Sequence, residues 1–176
     1  MVDPILILCD YYSMTPILIY IFGIYIGVYF NVLPEAISFV LFTFLNDQLT
    51  KMIKALPYPE FMWDITRRPE GAYNTDYFSR NGPVKKDAPG FPSGHMAGIT
   101  SFCLYMLLRK KGDMDWSVFI EENVGLIFIS IFAVVFMGFS RWYKTCHNMF
   151  QICGGILYGG VTTYLYYNII GKNLIN

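Results

Sequence analysis

The chain has 176 residues, 55% of them hydrophobic and 18% aromatic, and only 15% carry a formal charge, against about 25% in average soluble domains. So apolar a composition excludes disorder, and the length fits one folding unit. The 13 basic and 13 acidic residues balance, so net charge gives no ground for nucleic acid as a partner, and none is expected.

Thr15 to Leu33 is uncharged and approaches the roughly 20 residues that cross a bilayer core, which predicts a first span. Pro34 and Glu35 should break it. Ala36 to Leu45 opens a second helix that must run on through Leu56 and ends on Asp47, Lys51 and Lys54. From Pro57 to Pro92 the chain carries six prolines, Gly71, Gly82 and Gly90, and a loop that long in a compact protein is usually functional. A third span begins near Ser93 and runs to Leu108, followed by a polar turn from Arg109 to Asp115. Asn123 to Phe139 makes a fourth. After a polar turn from Ser140 to Cys146, His147 to Ile170 makes a fifth, where Gly154, Gly155, Gly159 and Gly160 should let neighbouring helices approach closely.

Cys9, Cys103, Cys146 and Cys153 lie scattered, with no metal or disulfide spacing, and read as small apolar fillers. No basic segment precedes the first apolar run, so nothing reads as a cleavable signal. The expected fold is all-α: a single membrane-embedded domain over residues 1–176, an integral membrane bundle of about five transmembrane helices. Five spans put the loop 57–92 and the turn 140–146 on the same membrane face.

Three short segments stand out on that face: Arg67-Arg68-Pro69, Pro92-Ser93-Gly94-His95, and Ser140-Arg141 with His147 six positions after the arginine. They contain both histidines of the chain. Ionisable groups at membrane helix ends need a reason, and a phosphate site supplies one. Arginine offers a planar fork to phosphate oxygens and lysine a point charge. Ser93 and the Gly94 amide stand where a helix would begin, a place that favours an anion. Imidazoles at His95 and His147 could divide the acid and nucleophile roles near neutral pH.

In these blocks the sequence resembles the membrane-bound type 2 phosphatidic acid phosphatase (PAP2) superfamily, whose signature is K-x6-R-P, P-S-G-H and S-R-x5-H-x3-D in that order. Pro92 to His95 matches the second block in full, Arg68-Pro69 fits the first, and Ser140, Arg141 and His147 fit the third. Phe61 stands where the first block has its lysine, and Lys51 and Lys54 are the nearest candidates. Gln151 stands where the third block ends in Asp; it can accept a hydrogen bond from an imidazole but carries no charge. The resulting H-x3-Q, with the glycine-containing span after it, is similar to the dolichyl-diphosphatase branch.

The resemblance implies a metal-independent lipid phosphatase with no cofactor. His147 would attack phosphorus and form a phosphohistidine, His95 would protonate the leaving oxygen, and Gln151 would orient His147. Arg68, Ser93, Gly94 and Arg141, with Lys54 or Lys51, would hold the phosphoryl oxygens. The favoured substrate is a polyprenyl (dolichyl-type) diphosphate; phosphatidic acid or another lipid phosphate is the alternative, as is a catalytically silent lipid-phosphate binder. The partners are then that lipid and the bilayer.

The remaining charges read as surface. Arg67, Arg80, Lys85, Lys86 and Lys144 are expected to be solvated or to face lipid headgroups. Glu60, Asp64, Glu70, Asp76 and Asp87 balance the loop's positive charge, and Trp63, Trp116, Trp142 and Tyr143 read as interfacial anchors. Counting basic residues would put the site face in the cytoplasm, whereas the resemblance implies a site facing the lumen or exterior; the expected location is the endoplasmic reticulum or another internal membrane, with the site towards the lumen.

Overall fold

The computed structural model describes residues 3–29, 32–70, 72 and 88–175. The expectations for Gly71, Asp76, Arg80, Gly82, Pro83, Lys85, Lys86 and Asp87 lie outside them.

The first helix starts earlier than the uncharged run suggests. Asp3 accepts a hydrogen bond from the Ile5 amide at 2.9 Å and Pro4 fills the first turn, so α1 covers Pro4–Tyr12. A two-residue turn at Ser13 and Met14 separates it from α2, Thr15–Tyr29. Leu33–Lys54 forms α3, and here Pro34 sits in the first helical turn and starts a helix. The stretch from 57 to 70 is not plain loop: Glu60–Met62 makes a 3-10 turn and Trp63–Thr66 makes α4.

Gly94–Lys111 forms α5, carrying the helix past the expected stop at Leu108 and placing Arg109, Lys110 and Lys111 in its last turn, where cations suit the helix dipole. A short α6 at Trp116–Glu122 was not expected. Val124–Tyr143 forms α7, so Ser140 and Arg141 belong to its last turn and the expected turn 140–146 shrinks to residues 144–148. Met149–Tyr166 forms α8, followed by a π-helical turn at Tyr167–Gly171 and α9 at Lys172–Ile175. Among the described residues the regular structure is all helical, with a single isolated bridge between Arg67 and Pro89.

Helix α5 is the centre of the bundle, packed against α8, α7, α3 and α2. Met96, Ile99, Cys103 and Leu108 meet Met137 of α7 and Ile152 of α8 in the core. Towards the far end Phe39 stacks on Tyr105 and Phe42 on Tyr166, each pair with ring centroids 4.3 Å apart. The seam between α5 and α8 needs two of the four glycines: a Cβ on Gly155 would stand 2.5 Å from the Ser93 carbonyl oxygen, and one on Gly159 would press into the Ala97 backbone. Gly154 faces the Phe91 ring, and Gly160 meets nothing within 4 Å.

Glu35, expected as a helix breaker, is buried and accepts hydrogen bonds from the Tyr105 hydroxyl and the Arg109 guanidinium. A buried carboxylate is tolerable because it is paired in this way.

The exterior suits hydrocarbon better than water. Pro4–Tyr25 and Val124–Tyr143 are each long and apolar enough to cross a membrane, with only 24% and 22% of the apolar stretch buried. Ile129, Phe132 and Val135 on α7, Leu41 and Leu45 on α3, and Leu157 and Leu165 on α8 all point outward. Continuous apolar surface of this kind marks a lipid or protein contact face.

Candidate active site

Where α3, α5, the α1–α2 junction and the turn before α8 converge there is a cleft of about 390 Å³. One face of α3 supplies Asp47, Thr50, Lys51 and Lys54 to its wall, an i, i+3, i+4, i+7 stripe that follows from helical periodicity. The first turn of α5 supplies Gly94 and His95, and Arg68, His147, Ser13, Pro16, Ile17 and Tyr20 complete the wall.

The best-defined group is His147. Its Nδ1 lies 2.9 Å from Gln151 Oε1. The orientation of that amide is settled by its other end, because Gln151 Nε2 donates to the Ile65 carbonyl at 3.1 Å and to the Arg67 carbonyl, and carbonyl oxygens only accept. Gln151 Oε1 is therefore the acceptor, His147 Nδ1 carries the proton, and Nε2 keeps a lone pair. The same glutamine closes the N-terminus of α8: Asn148 accepts from the Gln151 amide at 2.9 Å while Gln151 Oε1 accepts from the Asn148 amide. Gly90 lies against this side chain so closely that a Cβ there would stand 2.5 Å from Gln151 Oε1. The Gly90 amide is tied back to the Thr66 carbonyl at 2.7 Å, and the Ser93 amide to the Gln151 carbonyl at 3.0 Å.

His95 opens α5, and its Nε2 lies 3.2 Å from the carbonyl oxygen of Ser13. Lys54 reaches the same place: its Nζ is 3.9 Å from where a Gly94 Cβ would be. Arg141 is fully buried, with Nη1 donating to Ser13 Oγ at 3.3 Å. The Ser93 hydroxyl and the Arg68 Nε and Nη1 are buried without a hydrogen-bond partner among the described residues. Donors of this kind are costly in a protein interior unless an acceptor meets them, and an oxyanion is the acceptor that suits a guanidinium and a helix N-terminus.

Burial, and then the charges of Arg141, Arg68 and Lys54, hold the His147 imidazole well below the usual histidine value of 6.5, against the opposing effect of its hydrogen bond to Gln151. The ring is neutral at physiological pH and can act as a nucleophile. A cationic cleft with an oriented imidazole lone pair is suited to binding a phosphoryl group and attacking it.

The family model of the PAP2 superfamily matches residues 16–175. The chain belongs to the PAP2 superfamily. Its members are phosphatases that act on lipid phosphates, which makes a hydrolase the coarse assignment for this chain. No curated protein and no solved structure matches it.

On this PAP2 chain the blocks read from the sequence converge on one place, and several expectations need correction. Lys54 and Lys51 both line the cleft, but Lys51 is 62% exposed and pairs with Asp47 at 2.7 Å, four residues before it. Arg141 is not part of the cleft wall; it stands behind Ser13.

Lys144, expected in solvent, is buried and pairs with Asp10 at 2.8 Å, because α1 packs along the end of α7 and covers it. Arg67 is half-buried, with its guanidinium stacked 3.0 Å over the Trp63 ring, while its carbonyl receives the Gln151 amide. Trp63 is held by that contact and by donating to the Tyr58 carbonyl at 3.1 Å. Phe61, at the position of the family lysine, is 84% exposed.

Reading the sequence missed Ser13, Tyr20 and Thr50. For Thr50 the i+4 spacing to Lys54 was an available signal; for Ser13, which lies ahead of the matched residues, there was none. Among the described residues no group of three His, Cys, Asp or Glu side chains is placed to hold a metal ion.

Proposed function

We propose that this chain is a multi-pass lipid phosphatase that hydrolyses a polyprenyl diphosphate through a phosphohistidine on His147. What carries the reading is the fixed tautomer of His147: with Nδ1–H committed to Gln151, Nε2 holds the lone pair in a cleft shared with His95, Lys54 and Arg68. In the first step His147 Nε2 attacks phosphorus, the bond from phosphorus to the leaving oxygen breaks, and His95, starting as imidazolium, gives that oxygen a proton and becomes neutral. In the second step His95 takes a proton from water, the resulting hydroxide attacks the phosphohistidine, and inorganic phosphate leaves. Arg68, Lys54, Ser93 and the Gly94 amide stabilise the equatorial oxygens, where charge gathers in the transition state, and Arg141 adds its positive charge from behind the cleft wall.

The bilayer arrangement belongs to the same proposal. Helices α2, α3, α5, α7 and α8 are the five spans, with α1 packed against α7, and the cleft opens at the lumenal interface of an internal membrane. Lipid diphosphates present their headgroups at that depth while their chains stay in hydrocarbon.

The test is phosphate release by detergent-solubilised protein, run in parallel on a polyprenyl diphosphate and on phosphatidic acid, with His147→Ala as control and acid-labile phosphoprotein as a second readout. Release and phosphoprotein that both vanish in His147→Ala are expected, with the diphosphate faster. Equal release by the variant would remove His147 from the reaction. A folded protein inert on both lipids would leave a lipid-phosphate binder.

A further inference from the structure

The residues ahead of the family match are not a passive leader to the bundle. Helix α1 packs along α7, and its C-terminal end reaches the cleft. The Ser13 carbonyl receives His95 Nε2 at 3.2 Å. The Ser13 hydroxyl donates to the Cys9 carbonyl at 2.8 Å and accepts from Arg141 Nη1 at 3.3 Å and Lys144 Nζ at 3.1 Å. One donor and two acceptor positions are all that a serine hydroxyl has, and each is used. Ser13 is 1% exposed, so water does not compete for these bonds.

A second contact pins this arrangement. Lys144 and Asp10 form an ion pair at 2.8 Å with both side chains buried. The adjacent Ser140 hydroxyl donates to the Cys9 carbonyl at 3.2 Å, which ties the same end of α1 to the last turn of α7. Removing one member of such a pair leaves a buried charge uncompensated, so the contact holds α1 in a single position.

We propose that Ser13 is a positioning residue of the active site, holding His95 through its carbonyl and Arg141 through its hydroxyl, with the Asp10–Lys144 ion pair fixing α1 in register. The inference rests on the phosphatase reading for its consequence in turnover, but the contacts predict oxyanion affinity independently of turnover. With Nε2–H of His95 committed to the Ser13 carbonyl, Nδ1 is the atom at which the ring takes up and gives the exchanged proton, as imidazolium before the leaving oxygen departs and as neutral imidazole after it. With Arg141 fixed from behind the cleft wall, its positive charge is aimed at the phosphoryl site rather than spread over several rotamers.

The experiment measures orthovanadate affinity of the full chain in detergent, together with kcat, KM and thermal midpoint, for wild type, Ser13→Ala, Ser13→Thr and Asp10→Asn. Ser13→Ala should weaken orthovanadate about tenfold and lower kcat about tenfold with KM changed less than twofold, and Ser13→Thr, which keeps the hydroxyl, should recover most of both. Asp10→Asn leaves Ser13 intact and should weaken orthovanadate severalfold by loosening α1; it decides the matter if Ser13→Ala does not fold. Wild-type affinity in Ser13→Ala, or in Asp10→Asn where that variant must decide, overturns the proposal, as does equal loss in Ser13→Ala and Ser13→Thr. A wild-type protein that binds orthovanadate but hydrolyses no lipid phosphate sinks the phosphatase reading alone, and the variant affinities still judge Ser13. A wild-type protein that binds no orthovanadate overturns both.

Discussion

Gln151 stands where its family has an acid, and exchanging it for Glu is the sharpest probe of why. The change is nearly isosteric, and one carboxylate oxygen could still accept from His147 Nδ1, now 2.9 Å away. The other oxygen would replace Nε2, which donates to the Ile65 and Arg67 carbonyls. Two donor bonds become two contacts between acceptors. Each lost bond is worth about 1 kcal/mol, and each buried carbonyl left without a donor costs about 1–3 kcal/mol. Some of that overlaps, so Gln151→Glu should cost about 2–5 kcal/mol of stability.

To escape, the carboxylate must turn away, and His147 then loses its orienting acceptor. A drop in kcat of about a hundredfold, or about 2.7 kcal/mol of barrier, is expected. Thermal melting in detergent and phosphate release at saturating substrate read the two effects. A protonated Glu regains one donor, so the stability deficit should narrow from pH 7.5 to about pH 5.5. A shorter Asp at 151, attractive from the family pattern alone, reaches neither carbonyl and should fare no better. If Gln151→Glu melts and turns over like wild type, the amide is not needed as a donor and the argument for the His147 tautomer fails with it.

Lys54→Ala should raise KM and lower kcat by tenfold or more while Lys51→Ala changes either by less than threefold, since Lys51 is solvated and already paired with Asp47; the reverse order in steady-state kinetics would assign the phosphate to Lys51. The acid limb of kcat/KM should fall below pH 6.5, because burial and the neighbouring cations keep His147 unprotonated in the native state; Lys54→Met should move that limb to higher pH, and a limb at or above 6.5 in wild type would contradict the neutral ring. The same depressed pKa sets the sign for stability. Above pH 6.5 neither state protonates this histidine, and below it only the unfolded state does, so the native protein loses stability as pH falls through that window; equilibrium unfolding at pH 7.5 and 5.5 checks it. Gly159→Val forces a side chain into the Ala97 backbone and should cost about 1–3 kcal/mol, whereas Gly160→Ala, in open space, should melt like wild type.

Much of this was legible in the chain itself, for identifiable reasons. The apolar run behind α7 is long enough to read as a span, those behind α3, α5 and α8 announce helices without settling what surrounds them, and the Arg68, Ser93–His95 and Arg141–His147 blocks stand out by residue type. What could not be read was contact made by backbone or across long separations. Gln151 is fixed by the carbonyls of Ile65 and Arg67, and a carbonyl has no signature in a sequence. Lys144 is buried only because Asp10, 134 positions earlier, comes to meet it. Helix α1 escaped notice because Asp3 and Asp10 interrupt its apolar character, although Asp3-Pro4 is a helix start signal. The helical phase of Asp47, Thr50, Lys51 and Lys54 was available and would have shown both lysines facing one cleft.

The glycine seam between α5 and α8 has a mechanical consequence. His95 sits in the first turn of one of these helices and His147 two residues ahead of the other, and the seam presses the two backbones together directly below them. A bilayer that thins or thickens tilts its helices to match, yet a pair joined backbone to backbone tilts as one rod. If the proposed spans hold, the two imidazoles would ride on a common lever, and the gap between them would stay the same in membranes of different thickness while the cleft as a whole rose or sank.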